Sequence, residues 1–520
     1  MECESAAAYT LDEALAAVGF GKFQGFILVY AGIGWFSEAM EIMILSFVGP
    51  AVKLQWGLSS SEESLLSSVV FAGTLIGAYS WGLVSDNYGR RRAFLSMTVI
   101  TSGTGVISAF APNYTSLVVL RGLVGFGLGG GHVFLSWFLE FIPTSHRGKW
   151  MVIFSTFWTL GTIFEAALAW IVMPILNWRW LLVLSAIPSL SLLPLYGFAP
   201  ESPRYLCQKG ITIQAQQIIE TMALVNKREL PLGMLDSYET ATTNEECSSS
   251  EHMHLLSPAE GKTSQFKSLF STCSMLFSPK LIQTTLLLWM AFFGNVFLYY
   301  GIILLTSQLS ISQNNCSSGL LHSVNLKDDS LYAYQLITSF GELPGLLLSA
   351  ITVDRFGRKL SMAMMFILAG ICLLPLVSRQ SGILTTGLLF GSRMFSVGTF
   401  TVASIYAPEV RSLPSNLNLC CIAREPFFIS VSAFHIRFHY HFLVKFGHCY
   451  LPLPNYLSPS PFEQFYPFHK KNSKLNLRES AKLCLGGCRI RPPNGQAGFC
   501  IRLGIIWPIQ NRQIFCDEKY

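Results

Sequence analysis

The chain has 520 residues, of which 51% are hydrophobic and only 13% are charged, and its mean hydropathy is +0.44. Soluble domains carry about 25% charged residues, so this composition excludes an ordinary soluble protein and is typical of a polytopic membrane protein. The formal charge of +6 arises after residue 410, where 14 Lys and Arg accompany only 5 Asp and Glu. The preceding part therefore offers no basic surface for nucleic acid.

The sequence also argues against a metal centre and an enzyme active site. Seven of the 13 cysteines lie after residue 410, and Cys484-x-x-x-Cys488 lacks a second pair at zinc-site spacing. No nucleophile–base pair or phosphate-binding loop emerges. We therefore expect no metal, no cofactor and no enzymatic activity. Residues 1–22 lack the basic start and apolar core of a signal peptide, so the first span would direct membrane insertion.

Ten apolar stretches are long enough to cross a membrane as helices, which need about 20 residues each. They are residues 24–48, 64–84, 93–112, 116–139, 151–173, 179–198, 281–306, 331–353, 360–378 and 383–407. The pattern predicts an all-α polytopic membrane protein. Gly73-x-x-x-Gly77 and the series Gly122, Gly125, Gly129 would let helices pack closely.

The order of these stretches divides the chain into five regions. We predict a cytoplasmic N-terminus at 1–23, a six-helix bundle at 24–198, a cytoplasmic linker at 199–280 with a short helix near 212–227, a second bundle at 281–410 and a divergent tail at 411–520. Basic loops on one side of the spans place the N-terminus in the cytoplasm. Asn315-Cys-Ser317 then falls in an outer loop, where we expect Asn315 to be glycosylated.

The second bundle lacks two recognisable helices. Its next apolar stretch, residues 427–446, contains Arg437 and Lys445. A central Arg or Lys costs roughly 2.5–3.5 kcal/mol on insertion. After residue 450 neither helical nor strand periodicity is visible. We hypothesise that the tail after Glu409 derives from an aberrant gene model or splice form, which would leave the second bundle incomplete.

Polar and ionisable residues inside the spans are candidates for a substrate and proton pathway, since such groups are costly to bury in a bilayer. They are Glu38, Glu41, Arg121, Glu165, Asn295, Glu342 and Arg393. Glu38 and Glu41 are three residues apart, so we expect one shared carboxylate site for a proton or a cation. The alternative for these carboxylates is an ion pair with Arg121 or a contact with the backbone. For the remaining residues, pathway function and structural pairing between helices both stay open.

Several aromatic residues within the spans either line a cavity, where they would stack on a flat or cationic substrate, or pack against lipid and neighbouring helices. They are Trp35, Phe36, Trp137, Phe157, Trp158, Phe293 and Tyr299. Packing is the simpler interpretation for any one of them alone.

A charged loop motif occurs once in each half. Asp86-x-x-Gly89-Arg90 is echoed by Asp354-x-x-Gly357-Arg358. We expect these charges and their neighbours to form ion pairs that a gate makes and breaks between two packings. The alternative is solvated loop charges that only set orientation. The full set comprises Gly82, Asp86, Gly89, Arg90, Arg91, Glu140, Arg147, Glu201, Arg204, Asp354, Gly357 and Arg358.

These motifs, with Arg121-x-x-x-Gly125 and the stretch Pro200-Glu-Ser-Pro-Arg204, resemble the major facilitator superfamily. Trp35-Phe-Ser-Glu-Ala-Met-Glu-Ile-Met43 is similar to its synaptic-vesicle-2-related and plant organic cation/carnitine transporter branch and unlike the sugar porters. The resemblance implies two pseudo-symmetric six-helix bundles and alternating access around a midplane site. It further implies that Asp86 meets an eleventh helix and that the neighbouring arginines meet Glu140.

By this resemblance we expect a secondary transporter in the plasma membrane. Its partners would be the lipid bilayer, protons and a small organic solute, namely an organic cation, a carnitine-like zwitterion or nicotinate. One alternative is a non-transporting membrane receptor or regulatory protein, or an inactive truncated splice form, because helices are missing. A sugar porter is a weaker alternative, since the acidic first span argues against it.

Overall fold

Helices dominate the computed structural model, which describes residues 8–144, 147–235, 282–317, 329–378 and 381–409. These residues belong to one structural unit, residues 1–452. The hypothesis about the tail at 411–520 lies outside the described residues, and so does the expected contact of Asp86 with an eleventh helix.

The first half is built from an N-terminal strand and ten helices. They are β1 (Ala8–Tyr9), α1 (Leu11–Val18), α2 (Lys22–Met43), α3 (Leu45–Trp56), α4 (Ser60–Tyr88), α5 (Arg90–Ala109), α6 (Tyr114–Leu128), α7 (Gly131–Leu139), α8 (Arg147–Ile175), α9 (Trp178–Ser185) and α10 (Ile187–Leu195), followed by a short 3-10 turn at Tyr196–Phe198. Three successive pairs, α2 with α3, α6 with α7 and α9 with α10, each form one membrane-length segment.

A short segment and the second half follow. They contain α11 (Pro203–Gln208), α12 (Thr212–Asn226), β2 (Met234–Leu235), α13 (Ile282–Ser317), α14 (Asp329–Phe340), α15 (Glu342–Phe356), α16 (Arg358–Leu373), a 3-10 turn at Leu374–Val377, and α17 (Gly382–Glu409). Here α14 and α15 form one membrane-length segment that is broken at Gly341.

Within the described residues, nine segments are apolar and long enough to cross a membrane. Ten were predicted from the sequence, and the difference lies at residues 93–112. A helix, α5, does occupy most of this stretch. Its three initial arginines and its many Ser, Thr and Gly residues make it less apolar than the other nine segments. Several of these hydroxyls are buried and donate to carbonyls of the preceding turn, as Ser102 does to Thr98 at 2.7 Å.

Local capping groups explain where the helices start and stop. Ser59 begins α4 with a capping box, in which its hydroxyl accepts from the Glu62 amide and its own amide donates to the Glu62 carboxylate. Between α4 and α5, Gly89 has a φ of 100°, which side-chain-bearing residues rarely adopt. The equivalent Gly357 has a φ of 76° between α15 and α16. The two motif glycines therefore make the turns that their sequence context predicts.

Within the predicted linker, residues 203–235 have more structure than the single short helix expected, because they fold against the N-terminus. We call this assembly the N-terminal cap; it comprises β1, α1, α11, α12 and β2. The strands pair in parallel, and Tyr9, Leu206 and Ile219 contribute to a small apolar core. The predicted helix near 212–227 is confirmed as α12. Asn226 at its end accepts from the Phe23 amide at 3.1 Å, which ties the cap to α2.

The predicted outer loop around Asn315 is also wrong. The helix α13 continues through Ser317, well beyond the predicted span end at residue 306. The stretch after residue 306 contains no proline or glycine before Gly319, so no residue there breaks the helix. Asn315 thus lies in the last turn of a helix, and its glycosylation stays a prediction.

Small residues bring α4 and α6 into backbone contact, as their spacing predicts. A Cβ atom at Gly73, Gly77 or Gly125 would collide with backbone atoms of the facing helix. At Gly77 the obstacle is the Phe126 carbonyl oxygen, and at Gly125 it is the Val70 carbonyl oxygen. Close approach of this kind increases dispersion contact where no hydrophobic driving force acts between helices in lipid.

We predict that Gly77→Ala lowers the melting temperature of the detergent-solubilised protein by several degrees, because overpacking a tight contact costs about 1–3 kcal/mol. Gly103→Ala is the matched control, since Gly103 is also helical and a Cβ there meets no atom within 4 Å. Circular dichroism melting of both variants decides the point. Equal melting temperatures for the two variants would contradict the packing account.

Candidate functional site

A cavity lies between the two halves of the described structure. Its walls come from α2, α4, α6, α7, α8, α13 and α17, with the aromatic side chains of Trp35, Phe71, Trp158, Tyr300 and Phe400 among them. It has about 510 Å³ of empty space, part of it open to solvent, and about 40 Å³ in which the centre of a water molecule fits. Pockets for drug-sized ligands have about 300–1,000 Å³. The smaller of the two volumes is the one to compare with this range, so the cavity walls would have to move apart to admit an organic substrate.

Glu38 supplies a carboxylate to this cavity. It is buried, with 8% of its surface exposed, and forms no hydrogen bond or ion pair with the described part of the chain. Its carboxylate packs against Gly131, where a Cβ atom would collide with it. The rings of Trp35 and Trp158 lie 4.8 Å apart at the same cavity. A negative charge beside aromatic faces is an arrangement that favours an organic cation.

Glu41 has a different environment, so the expected single site of Glu38 and Glu41 is wrong. Its Oε2 atom lies 2.8 Å from Nη1 of Arg121, and both side chains are buried. The alternative, an ion pair with Arg121, is the one observed. Three residues along a helix turn a side chain by about 60°. That rotation lets Arg121 of α6 engage Glu41 while Glu38 points to the cavity.

Glu165 of α8 lies near the Glu41–Arg121 pair and contributes a further buried carboxylate. The Ser185 hydroxyl donates to its Oε2 atom at 2.7 Å. Its Oε1 atom accepts no hydrogen bond from the described residues, and Nε and Nη2 of Arg121 likewise lack an acceptor among them. Two nitrogen atoms of this arginine therefore have no acceptor among the described residues, although two carboxylates lie close by.

A second buried ion pair lies in the second half. Nε of Arg393 in α17 donates to Oε1 of Glu342 at 2.8 Å, and both residues have no exposed surface. The hydroxyl of Tyr299 also donates to Oε1 of Glu342, at 2.9 Å, and the hydroxyl of Thr162 donates to its Oε2 atom at 3.1 Å. Thr162 belongs to α8 of the first half, a connection that spacing along the chain did not predict.

The other predicted cavity residues have mixed placements. Trp35 and Trp158 line the cavity, whereas Trp137 packs in the core of the first half and donates to the Pro200 carbonyl. Asn295 is fully buried in α13, and its amide pairs with none of the described residues. It is not among the residues that line the cavity.

Most of the cavity residues were not predicted, and those among them with aromatic rings are Phe71, His132, Tyr300 and Phe400. Tyr300 follows the predicted Tyr299, Phe400 lies in the tenth span, and Phe71 lies in the second span. All three are aromatic residues inside spans, where aromatic residues are frequent. The sequence alone therefore does not show which of them line the cavity. His132, at the start of α7, lies in a stretch that the sequence predicts as one continuous apolar helix, where a single histidine gives no separate signal.

The loop motif of the first half forms the expected charge network, which we call the Gly89 network; it comprises Asp86, Gly89, Arg90, Glu140 and Glu201. The Arg90 guanidinium lies 2.7 Å from Asp86 and 3.1 Å from Glu140. Oε1 of Glu201 accepts from the backbone amides of Arg90, at 2.9 Å, and of Arg91, at 3.2 Å. The predicted contact between the motif arginines and Glu140 is thus confirmed for Arg90.

Glu201 is held at the N-terminus of α5, where unpaired amides favour a negative charge. Burial raises the pKa of its carboxyl above the ordinary value, and the amides of Ser202, Arg91 and Arg90 act in the opposite direction. Gly89 also belongs to this contact, because a Cβ atom there would collide with the Glu201 carboxylate. The carboxylate therefore links the α4–α5 turn to the segment before α11.

Other members of the predicted gating set are placed outside this network. Arg204 pairs instead with Asp12 of α1, at 2.6 Å, within the N-terminal cap. Its expected membership in the network is wrong, because α11 directs its side chain towards the N-terminus. Arg147 begins α8 and is partly buried. In the second half, Asp354 and Arg358 are exposed beside Gly357, unlike the buried Arg90. Gly82 lies within α4 with open space around its Cα atom.

Comparison with known proteins identifies the family. The family described as "Sugar (and other) transporter" matches residues 20–421. The sequence is 53% identical over 413 residues to organic cation/carnitine transporter 7 of Arabidopsis thaliana, covering 77% of this chain and 82% of that protein. This chain belongs to the sugar and other transporter family of the major facilitator superfamily. It is also 37% identical to the synaptic vesicle 2-related protein of Bos taurus, covering 77% of this chain and 70% of that protein.

The fold agrees with this assignment. The xylose transporter XylE from E. coli, in a partially occluded inward-open conformation, superposes with a TM-score of 0.57 at 17% identity, covering 81% of this chain and 91% of that one. At that identity the likeness shows the fold alone. The predictions of a major facilitator fold and of the organic cation/carnitine branch are therefore confirmed, and the chain is a multi-pass membrane protein of a transporter family.

We predict that Arg90→Lys lowers the maximal uptake rate of any transported substrate at least about 10-fold, since hydrogen bonds to charged groups contribute about 1.5–3 kcal/mol. Lysine keeps the charge but cannot reach Asp86, Glu140 and the Ser85 carbonyl together, as the guanidinium does. Arg92→Lys is the control, because Arg92 lies in the same first turn of α5 but is exposed. Equal rates for both variants, at equal amounts in the membrane, would refute a gating role for the network.

Proposed function

We propose that this protein is a secondary transporter that moves a small organic cation or carnitine-like zwitterion by alternating access, coupled to protons. The cavity between the two halves is the substrate site of this proposal. Its support is the position of the cavity, the family to which the chain belongs, and the relative whose name specifies organic cations and carnitine. The proposed orientation has a cytoplasmic N-terminus, and the proposed location is the plasma membrane.

The observation that carries the proposal is the Glu38 carboxylate at the aromatic cavity. A buried carboxylate without a cationic partner in the described structure has a high desolvation cost, which a bound cation would offset. Trp35, Trp158 and Tyr300 offer ring faces to the same cation. An anionic solute such as nicotinate would meet the like charge of Glu38, so we rank it below a cation or a zwitterion.

We predict that Glu38→Gln raises the KM for choline or carnitine uptake at least about 10-fold, because the amide keeps the shape but removes the charge that binds the cation. The control is Glu220→Gln, an identical change at an exposed carboxylate of α12. Uptake into proteoliposomes with nicotinate, carnitine, choline and a hexose as competitors measures the effect. Unchanged KM for every cation, or competition by the hexose alone, would overturn the cation assignment.

The proposed proton site is Glu41. Its ion pair with Arg121 is fully buried, and Glu165 lies nearby with a free carboxylate oxygen among the described residues. Protonation of Glu41 would release the Arg121 guanidinium, which Glu165 could then attract. The proton thereby changes which helices the arginine joins, since Glu41 lies in α2 and Glu165 lies in α8.

We predict that Glu41→Gln removes the dependence of uptake on external pH, because glutamine cannot take up the proton. Exchange of labelled for unlabelled substrate across the membrane, which needs no net proton movement, should be retained. The comparison is made in proteoliposomes with an imposed pH gradient, beside wild type and Glu220→Gln. A variant that keeps both uptake and its pH dependence would show that Glu41 is not the proton site.

The alternative of a receptor or regulatory protein is separable from transport in the same vesicles. A receptor binds the solute and produces no flux, whereas a transporter does both. Purified protein would therefore be assayed for choline or carnitine binding before the uptake measurement. Binding without flux would favour the receptor and would also fit an inactive splice form.

A further inference from the structure

Glu342 lies where the second half of the molecule meets α8 of the first. The residue starts α15 directly after Gly341 and has no exposed surface. Its two carboxylate oxygens accept from Arg393 and Tyr299, both of the second half, and from Thr162 of the first half. One carboxylate thus holds groups from both halves at once.

A chain of hydrogen bonds leads from this carboxylate to the cavity. Nε1 of Trp158 donates to the Tyr299 hydroxyl at 2.7 Å, and that hydroxyl donates to Glu342 at 2.9 Å. An indole can only donate and an ionised carboxylate can only accept, so the direction of the chain is fixed. Trp158 is itself a wall of the cavity. The position of its ring therefore depends on a group that lies outside the cavity.

Trp158 and Thr162 are one turn apart on the same face of α8. Their two hydrogen bonds, to Tyr299 and to Glu342, both cross between the halves. Met43 of α2 adds a weaker contact, since its sulfur lies 3.6 Å from Nη2 of Arg393. Any movement that separates α8 from the second half must break these polar contacts in a buried environment, where unpaired groups are costly.

We propose that Glu342 and Tyr299 are positioning residues of the transport site, which hold the Trp158 ring at the cavity wall, and that the Thr162–Glu342 bond is a latch between the halves. Neither residue needs to touch the substrate. Arg393 holds the carboxylate in an orientation in which it accepts from both halves. The positioning role rests on the proposed function, because its test measures the transport of a substrate. The latch can be tested on the protein without substrate.

Two conservative variants separate the two roles. Tyr299→Phe keeps the ring but removes both the acceptor of Trp158 and a donor to Glu342, so the KM for choline or carnitine should rise about 5–10-fold. Thr162→Val is nearly isosteric and removes the bond between the halves, together with the bond of 2.9 Å that the same hydroxyl donates to the Thr159 carbonyl within α8. It should leave KM within about two-fold and raise the maximal rate at least about two-fold, since separation breaks one bond fewer.

The matched control is Thr159→Val, because Thr159 lies on the same helix, is fully buried, and its hydroxyl pairs with none of the described residues. We expect wild-type kinetics for this variant. If the network were merely structural, both variants would lower the amount of folded protein. Tyr299→Phe would then not act on KM alone, and Thr162→Val would not act on the maximal rate alone. Tyr299→Phe with unchanged KM, or Thr162→Val with unchanged rate, would refute the corresponding role.

Hydrogen exchange of the substrate-free protein in detergent tests the latch independently of transport. Thr162→Val should increase deuterium uptake in peptides of α8 and α14, which pack against each other, and Thr159→Val should not. An increase without any flux in wild type would support the latch and contradict the proposed function. Equal exchange in both variants would refute the latch even where uptake is normal.

Discussion

The cost of burying charge in the membrane governs the arrangement of this structure. Among the described residues inside the spans, Glu38 lacks a cationic partner, whereas the other acidic and arginine residues of the predicted pathway form clusters of opposite charges, namely Glu41, Arg121 and Glu165 in the first half and Glu342 and Arg393 in the second. Glu41 and Glu342 are both neutralised by an arginine from another helix. Removing one member of such a pair leaves a buried charge without compensation, which costs about 3–5 kcal/mol. The pairs therefore constrain which helices can be neighbours.

The two pairs resemble each other but have different surroundings. Arg121 and Arg393 occupy the fourth segment of their respective halves, as expected for a duplicated fold. Glu41 reaches Arg121 from the first segment, whereas Glu342 reaches Arg393 from the second segment of its half. Within the part of the chain that the structure describes, the Glu342 pair has hydrogen bonds to the opposite half, through Thr162 and the Met43 sulfur, and the Glu41 pair has none. One pair thus lies inside the first half, and the other lies at the junction of the halves.

Local sequence patterns predicted what depends on short distances along the chain. The spans, the α4–α6 glycine contact and helix α12 all follow from spacing and hydrophobicity, whereas the contact of Arg90 with Glu140 was implied by the resemblance to the superfamily. The resemblance to a known superfamily added the order of the helices. The N-terminal cap was missed because its strands have two residues each and α1 has only eight, which is too little to produce a clear periodic signal.

Contacts between the halves could not be predicted in the same way. Thr162 and Glu342 are 180 positions apart, and Trp158 and Tyr299 are 141 positions apart. Their meeting depends on how α8 packs against α13 and α15, and hence on many side chains. Glu38 and Glu41 show the same limit on a smaller scale, because their spacing predicts neighbours on one helix but not which surrounding helix presents an arginine. The sequence therefore shows that a charged residue inside a span is costly to bury in the bilayer. Its role, however, depends on the partner residue that the fold places beside it. In this chain, Glu38 lines the cavity, whereas Glu41 and Glu342 form ion pairs with arginines.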